Sequence, residues 1–397
     1  MPRSSALAAS LLVPLLLLIA ACDDSPQAST GTPGGAGGSA GSGASNTTSA
    51  STGGAGTGGS TGGSETTGTG GTGGSPPPKA LVHRVGRFDD SDPDRPRASW
   101  SGTTFRTRLS GSGLSVKLGG ASNIHFQIEI DGEVTGKFQT TGGDATYPVA
   151  TGLLDGEHDV VLVRRNEGFF GDVVFLGFEP DSGSSLVETP WPYQHTLELI
   201  GDSLTAGYGI EGASAQCNFS ASTESFYSTY GALAARAKGA AVHAIAYSGK
   251  GVFQNYGGDK NGMMPELWLR TLTNEPALPW DFTAFVPEAV VVNLGTNDFS
   301  APVAEADFEG AYVALLGAVR DRYPDAMIFC VTWAHWGASK EGWVQTAMSQ
   351  TGDPNLRHIG FSIDPADGYG CDYHTNLVTN AKLGDVLTKA LQDELGW

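Results

Sequence analysis

Ser203 has the setting of a nucleophile. It stands in Gly201-Asp202-Ser203, directly after an apolar run with strand character from His195 to Ile200. The glycine and aspartate turn the chain sharply and present the hydroxyl at the carboxyl edge of a sheet, where ligands bind in open α/β folds. A serine hydroxyl is inert at its own pKa. It needs a base, an orienter for that base, and donors for the developing oxyanion. Gly-Asp-Ser is also ordinary turn chemistry, so the tripeptide alone marks no more than a strand-to-loop turn.

The base candidate is His374, in Gly370-Cys371-Asp372-Tyr373-His374-Thr375-Asn376. Among the eight histidines, only His335 and His374 fall on loops that follow strands of the same region. Donors for an oxyanion come from three loops. Ser203 offers its own N–H. Ser248-Gly249-Lys250-Gly251 follows a second apolar run, and its glycine lets a backbone N–H approach a ligand closely. Gly295-Thr296-Asn297-Asp298 follows a third, and Asn297 carries a side-chain amide. Each loop alone reads as a turn; their joint occurrence after successive strands is far more specific. One such donor contributes roughly 3–4 kcal/mol of transition-state stabilisation. No His, Cys, Asp and Glu cluster has metal-ligand spacing, and the chemistry needs no cofactor.

These residues require a scaffold of strands ending on one edge. Candidate strands are Thr196–Ile200, Val242–Ala246, Ala289–Leu294, Met327–Val331 and Arg357–Phe361, with helical patterns near Ser225–Lys238, Asp307–Arg322, Lys340–Gln350 and Asn380–Glu394. Such alternation predicts one α/β domain with a parallel sheet over residues 183–397. Residues 80–182 differ: short alternating runs such as Leu114–Leu118 and Ile124–Ile130, the latter followed by Asp131-Gly132, predict hairpins and a smaller β-sandwich.

Further upstream, residues 1–22 carry Arg3, an apolar core from Leu11 to Ile19, and Ala20-Ala21-Cys22. The run is short for a membrane span and reads as an export signal. Its ending resembles a bacterial lipoprotein signal, with Cys22 as the lipidated residue; a soluble exported protein is the alternative. Residues 23–79 are mostly Gly, Ser, Thr and Ala, a composition that predicts a disordered tether. The expected location is therefore the bacterial cell envelope, with the membrane met only through the lipid.

The formal charge is −19, from 23 Lys and Arg against 42 Asp and Glu, which disfavours nucleic acid and anionic membrane surfaces and suits a neutral polysaccharide. Of four cysteines, Cys22 is assigned to the lipid and Cys330 lies in an apolar strand. Cys217 follows the nucleophile motif and Cys371 precedes His374. Both loops leave the same sheet edge, so a Cys217–Cys371 disulfide is expected, with three free thiols as the alternative.

Gly201-Asp202-Ser203, the Gly249 loop, Gly295-Thr296-Asn297-Asp298 and the late His374 resemble, in order, the blocks of the SGNH (GDSL) hydrolases. With the sandwich ahead of them, the layout from Ala80 to Trp397 is similar to carbohydrate esterase family two, as are the stretches around Tyr247–Gly251, Met264–Leu267 and Asn293–Ser300. The resemblance implies a flavodoxin-like three-layer α/β domain preceded by a jelly-roll-like sandwich. It implies an esterase that removes acetyl groups from polysaccharides such as xylan and glucomannan. It further implies Ser203 as nucleophile, His374 as base, and Ser203, Gly249 and Asn297 as the oxyanion hole. The broad SGNH pattern puts an orienting Asp three residues before the histidine. Here that position is Cys371, and the acid is Asp372, two before; some members of the closer family hold the histidine through a backbone carbonyl.

Trp333 and Trp336 follow the fourth expected strand and read either as a sugar-stacking platform or as core under a loop; Tyr373 is a further stacking candidate. Two other functions share these features. A lipase or thioesterase on the same scaffold would need an extended apolar groove, and no apolar run near the motifs suggests one. A non-catalytic carbohydrate-binding protein would not need the intact Ser203, His374 and Asn297. An α/β-hydrolase is disfavoured because Ser248 lacks the leading glycine of a G-x-S-x-G elbow: position 246 is Ala.

Overall fold

The computed structural model describes residues 79–397. The expected export signal, Cys22 and all of the linker except Lys79 lie outside the described residues. No helix among the described residues is long and apolar enough to cross a membrane.

The first domain is antiparallel. Its strands are β1 (Val82–Val85), β2 (Arg97–Ala98), β3 (Thr104–Ser110), β4 (Leu114–Gly120), β5 (Ser122–Ile130), β6 (Glu133–Thr141), β7 (Ala145–Ala150), β8 (Glu157–Arg164), β9 (Val173–Pro180) and β10 (Ser185–Val187). They form one sheet in the order β1-β3-β8-β5-β6, with β10 also on β3, and a second in the order β2-β9-β4-β7. Alternation explains the packing. In β4, Leu114, Val116 and Leu118 are fully buried against Phe105, Phe126 and Phe175. Asp131 at φ 54° and Gly132 at φ 84° make the turn that the Asp-Gly pair predicts. The sandwich runs past residue 182, because β10 pairs with β3 and Ala80 bridges Thr189.

The second domain contains β11 (His195–Gly201), α1 (Ser203–Ala206), α2 (Tyr230–Ala237), β12 (Ala240–Ala246), α3 (Met264–Leu267), β13 (Ala289–Asn293), α4 (Glu305–Arg322), β14 (Met327–Trp333), α5 (Ala338–Thr351), β15 (Leu356–Phe361) and α6 (Leu377–Leu395). The five strands are parallel in the order β12-β11-β13-β14-β15. That is the doubly wound flavodoxin-like order, whose switch point lies at the carboxyl ends of β11 and β13. The two faces divide the side chains of β11 by parity. Leu197 and Leu199 pack with Ala232, Ala235, Leu383, Leu387 and Leu391 of α2 and α6. Ile200 packs on the opposite face with Phe308, Tyr312, Leu315 and Val319 of α4 and Val344 of α5. The helical spacing of those residues is the 3.6-residue period of a buried stripe.

One expected helix is divided. Thr229 is extended (φ −74°, ψ 160°) and separates a single 3-10 turn at Phe226–Ser228 from α2, whose Ala232 N–H it caps.

The domains share their interior. Val161 and Val163 of β8 join the core under α2 and α6, and Trp100 joins the core under α4. Arg87 of the sandwich makes a fully buried ion pair with Glu198 of β11 at 3.2 Å. Glu198 also accepts from the Trp268 indole at 2.7 Å and the Tyr323 hydroxyl at 3.2 Å. A charge pair so satisfied is costly to break from one side.

Candidate active site

Register brings the three loops together. Gly201 at the end of β11 is paired with Ala246 on one side and Asn293 on the other. The Ser203, Gly249 and Asn297 loops therefore leave the sheet at one level, at the switch point. Gly201 cannot carry a side chain there: a Cβ would lie 2.1 Å from Thr205 Oγ1. This tightness lets the chain pass from strand to helix in one residue. Asp202 is the N-cap, its carboxylate accepting from Leu204 N–H at 3.0 Å, and Ser203 is the first residue of α1. The N–H of Ser203 and that of Gly249 (φ 77°) have no acceptor among the described residues.

His374 meets this turn from the far end of the chain. Its Nε2 is 2.9 Å from Ser203 Oγ, and its Nδ1 is 3.1 Å from the backbone carbonyl of Asp372. Nδ1–H donates to that carbonyl, which leaves Nε2 as the acceptor for the serine proton. Enclosure, which penalises the charged imidazolium, pulls the His374 pKa below its ordinary value, and the Asp372 carbonyl opposes this only in part. Burial likewise pushes Asp202 up to about 7, helped by the negative charges of Asp298 and Glu167.

The Asp372 carboxylate is not the orienter. Asp372 and Tyr373 both have left-handed backbones, at φ 51° and 60°, and this turns the carbonyl toward the imidazole. The carboxylate instead accepts from the Tyr208 hydroxyl at 3.0 Å and Phe219 N–H at 3.1 Å. Asp372→Asn, which tolerates the left-handed backbone, is expected to lower kcat/KM on p-nitrophenyl acetate by about tenfold or less. Loss of a true triad aspartate costs about 10⁴; a loss of that size here would return the role to the carboxylate.

Cys217 and Cys371 form a disulfide, and Cys330 is free and buried. The bridge fastens the loop of the base to the loop after the nucleophile. Backbone bonds from Cys371 N to Gly209 O (3.0 Å) and from Asp372 N to Cys217 O (3.1 Å) run alongside it. Gly212 sits under this seam, where a Cβ would meet Cys371 N at 2.5 Å and both sulfurs within 2.7 Å.

Asn297 has a second task. Its Nδ2 donates to Asp202 Oδ2 at 3.1 Å and to Lys250 O at 2.9 Å, so both amide protons are engaged. In this arrangement Asn297 braces the other two loops, and donation to an oxyanion requires one of these bonds to be shared.

Trp333 is not a stacking platform. It is the last residue of β14, fully buried, with its indole donating to Asn293 Oδ1 at 2.8 Å and its edge against Phe361. Trp336 is half-buried over Gly295, bonded to Thr296 Oγ1 at 3.3 Å. Tyr373, beside the base, is 39% exposed. The His335 ring lies 5.6 Å from that of Trp333 and 6.3 Å from that of Trp336, and the imidazole on Ser203 is that of His374.

Other residues at the site carried no sequence signal of their role. Tyr208 stacks on Phe219 at 3.9 Å and covers His374 at 4.3 Å. Phe169, in the turn after β8, is 40% exposed and packs against Phe219 and Tyr247. The sandwich therefore contributes to the rim.

Known proteins are similar to this chain in sequence and fold. Residues 84–190 match the carbohydrate esterase 2 N-terminal family, and residues 199–357 match the GDSL-like lipase/acylhydrolase family. A family two carbohydrate esterase from Clostridium thermocellum, solved with cellohexaose, is 35% identical, with 80% of this chain and 99% of that chain covered at a TM-score of 0.76. The cellulase/esterase CelE of Acetivibrio thermocellus is 36% identical over 79% of this chain, which spans only 39% of its length. An acetylxylan esterase / glucomannan deacetylase of Cellvibrio japonicus is 27% identical, over 75% of this chain and 86% of its own length. The shared sandwich, the parallel sheet and the extent of identity establish that the chain belongs to carbohydrate esterase family two, a group of carboxylic ester hydrolases.

Proposed function

We propose that the protein is an exported serine esterase that removes O-acetyl groups from a neutral polysaccharide such as xylan or glucomannan. The 2.9 Å contact between His374 Nε2 and Ser203 Oγ carries the reading. His374 takes the serine proton as Oγ attacks the ester carbonyl, and the Asp372 carbonyl holds the resulting imidazolium through Nδ1–H. The free N–H groups of Ser203 and Gly249 receive the oxyanion, with Asn297 as the third donor. The imidazolium then gives its proton to the departing sugar oxygen, which leaves as a free hydroxyl. Water, deprotonated by the same histidine, releases acetate from the acetyl-enzyme.

The exposed rings of Phe169 and Tyr373 offer apolar faces to a sugar beside this centre, and the acidic surface suits an uncharged glycan. The names of the relatives support the same substrate class. The N-terminal sequence supports a lipid tether at Cys22 and a location on the cell envelope. Acetate release from acetylated xylan, glucomannan and peptidoglycan tests the function. Release from a plant-type polysaccharide is expected; release from peptidoglycan alone would overturn the substrate class.

The base fixes the pH dependence. Enclosure disfavours imidazolium, so the proton binds less tightly than in free histidine, and neutral His374 persists below pH 6.5. The acid limb of kcat/KM is expected to have its midpoint below 6.5. A midpoint near 7 would instead assign the titration to Asp202.

A further inference from the structure

The Gly249 loop is held from the other domain. Glu167 belongs to the segment Arg164-Arg165-Asn166-Glu167 at the end of β8, and its side chain is fully buried. One carboxylate oxygen accepts from Ser248 N–H at 2.5 Å, and the other from the Ser248 hydroxyl. Arg164 fixes the backbone that presents it, donating to Glu167 O at 2.7 Å, Asn166 O at 2.9 Å and Gly171 O at 2.9 Å. On the far side of Ser248, Gly249 O accepts from Tyr256 N–H at 2.9 Å, and Lys250 O from Asn297 at 2.9 Å. The loop is thus held on both sides of Gly249, while the Gly249 N–H itself has no acceptor among the described residues.

We propose that Glu167 is a positioning residue for catalysis: the sandwich supplies the carboxylate that fixes the Ser248–Lys250 loop and aims the Gly249 N–H at the oxyanion. The inference rests on the esterase reading of Ser203 and Gly249. It gives the sandwich a part in the chemical step, beyond covering the sheet and lining the rim.

Glu224, equally buried, completes the arrangement. Its carboxyl oxygens receive no N–H or O–H from the described residues, and its carbonyl is held by Arg165 at 3.1 Å. Burial, reinforced by the adjacent Glu167 charge, raises its pKa well above the carboxylate range. That rise favours the neutral form of Glu224 beside Glu167.

Glu167→Gln places an amide N–H or a weaker neutral acceptor against Ser248. Glu167→Asp keeps the charge but withdraws it by one methylene. Both are expected to lower kcat on p-nitrophenyl acetate about 10–100-fold with KM changed less than about twofold, since a small misplacement of a reacting group costs up to about 10². A purely structural residue would lower thermal stability and leave the kcat of folded enzyme unchanged. If Glu167→Gln does not fold, the charge-conserving Glu167→Asp still reads the effect. Wild-type kcat in a folded variant overturns the proposal. Ser203→Ala is assayed beside them. An inactive Ser203→Ala with fully active Glu167 variants removes this inference alone, whereas an active Ser203→Ala removes the esterase reading on which it rests.

Discussion

Ser203→Ala is expected to fold normally and to lose kcat by about 10⁵–10⁶, the scale on which removing a nucleophile acts in a serine hydrolase dyad or triad. The side chain lies at the head of a four-residue helix and only its Oγ contacts His374. Truncation to alanine therefore removes the reacting atom without opening a cavity or orphaning a buried donor. The remaining rate reflects the oxyanion donors and binding alone. Denaturation midpoint and circular dichroism check the fold, and hydrolysis of p-nitrophenyl acetate checks the rate. Wild-type-like turnover would remove Ser203 from the mechanism.

The second large effect concerns stability. Cys217 and Cys371 are separated by 154 positions in sequence. For loops of that order the chain-entropy model gives about 4–5 kcal/mol of stabilisation, within the 2–5 kcal/mol usually lost when a native disulfide is removed. The double substitution Cys217→Ser, Cys371→Ser is expected to lower the unfolding free energy by about 4 kcal/mol in denaturant titration. Activity should fall as well, because the bridge sets the distance between base and nucleophile and no carboxylate orients the imidazole. An unchanged midpoint with unchanged kcat would mean that the backbone bonds from Cys371 and Asp372 to Gly209 and Cys217 hold the base unaided.

The sequence carried the α/β order clearly because the signals are local. Parity in Leu197, Leu199 and Ile200 marks a strand buried on both faces, and Gly201 marks its end. The Gly249 and Asn297 loops follow strands in the same way, so the structure brings them to one edge by register. Trp333 was less legible. A tryptophan ahead of a loop reads equally as rim or core, and the choice depends on β14 continuing to that residue and on Asn293 accepting its indole N–H. The direction in which Asp372 points was set by two left-handed residues that no glycine announces. Glu167 was beyond reach for a different reason. It acts on Ser248 across a domain boundary, over 81 positions, with no periodicity linking the two. Local pattern reports elements and their ends, whereas contacts between domains depend on tertiary packing.

In the proposed mechanism Ser203 becomes acetylated, and water deprotonated by His374 then releases the acetate. The most direct measurement is mass spectrometry of the acid-quenched protein during turnover of an acetyl ester, with the modified peptide sequenced. An acetyl group on Ser203, absent from Ser203→Ala and greatly reduced in His374→Ala, where the serine has no base to take its proton, is the expected result. Acetate production with the acetyl group on another residue, or undiminished in Ser203→Ala, would contradict it.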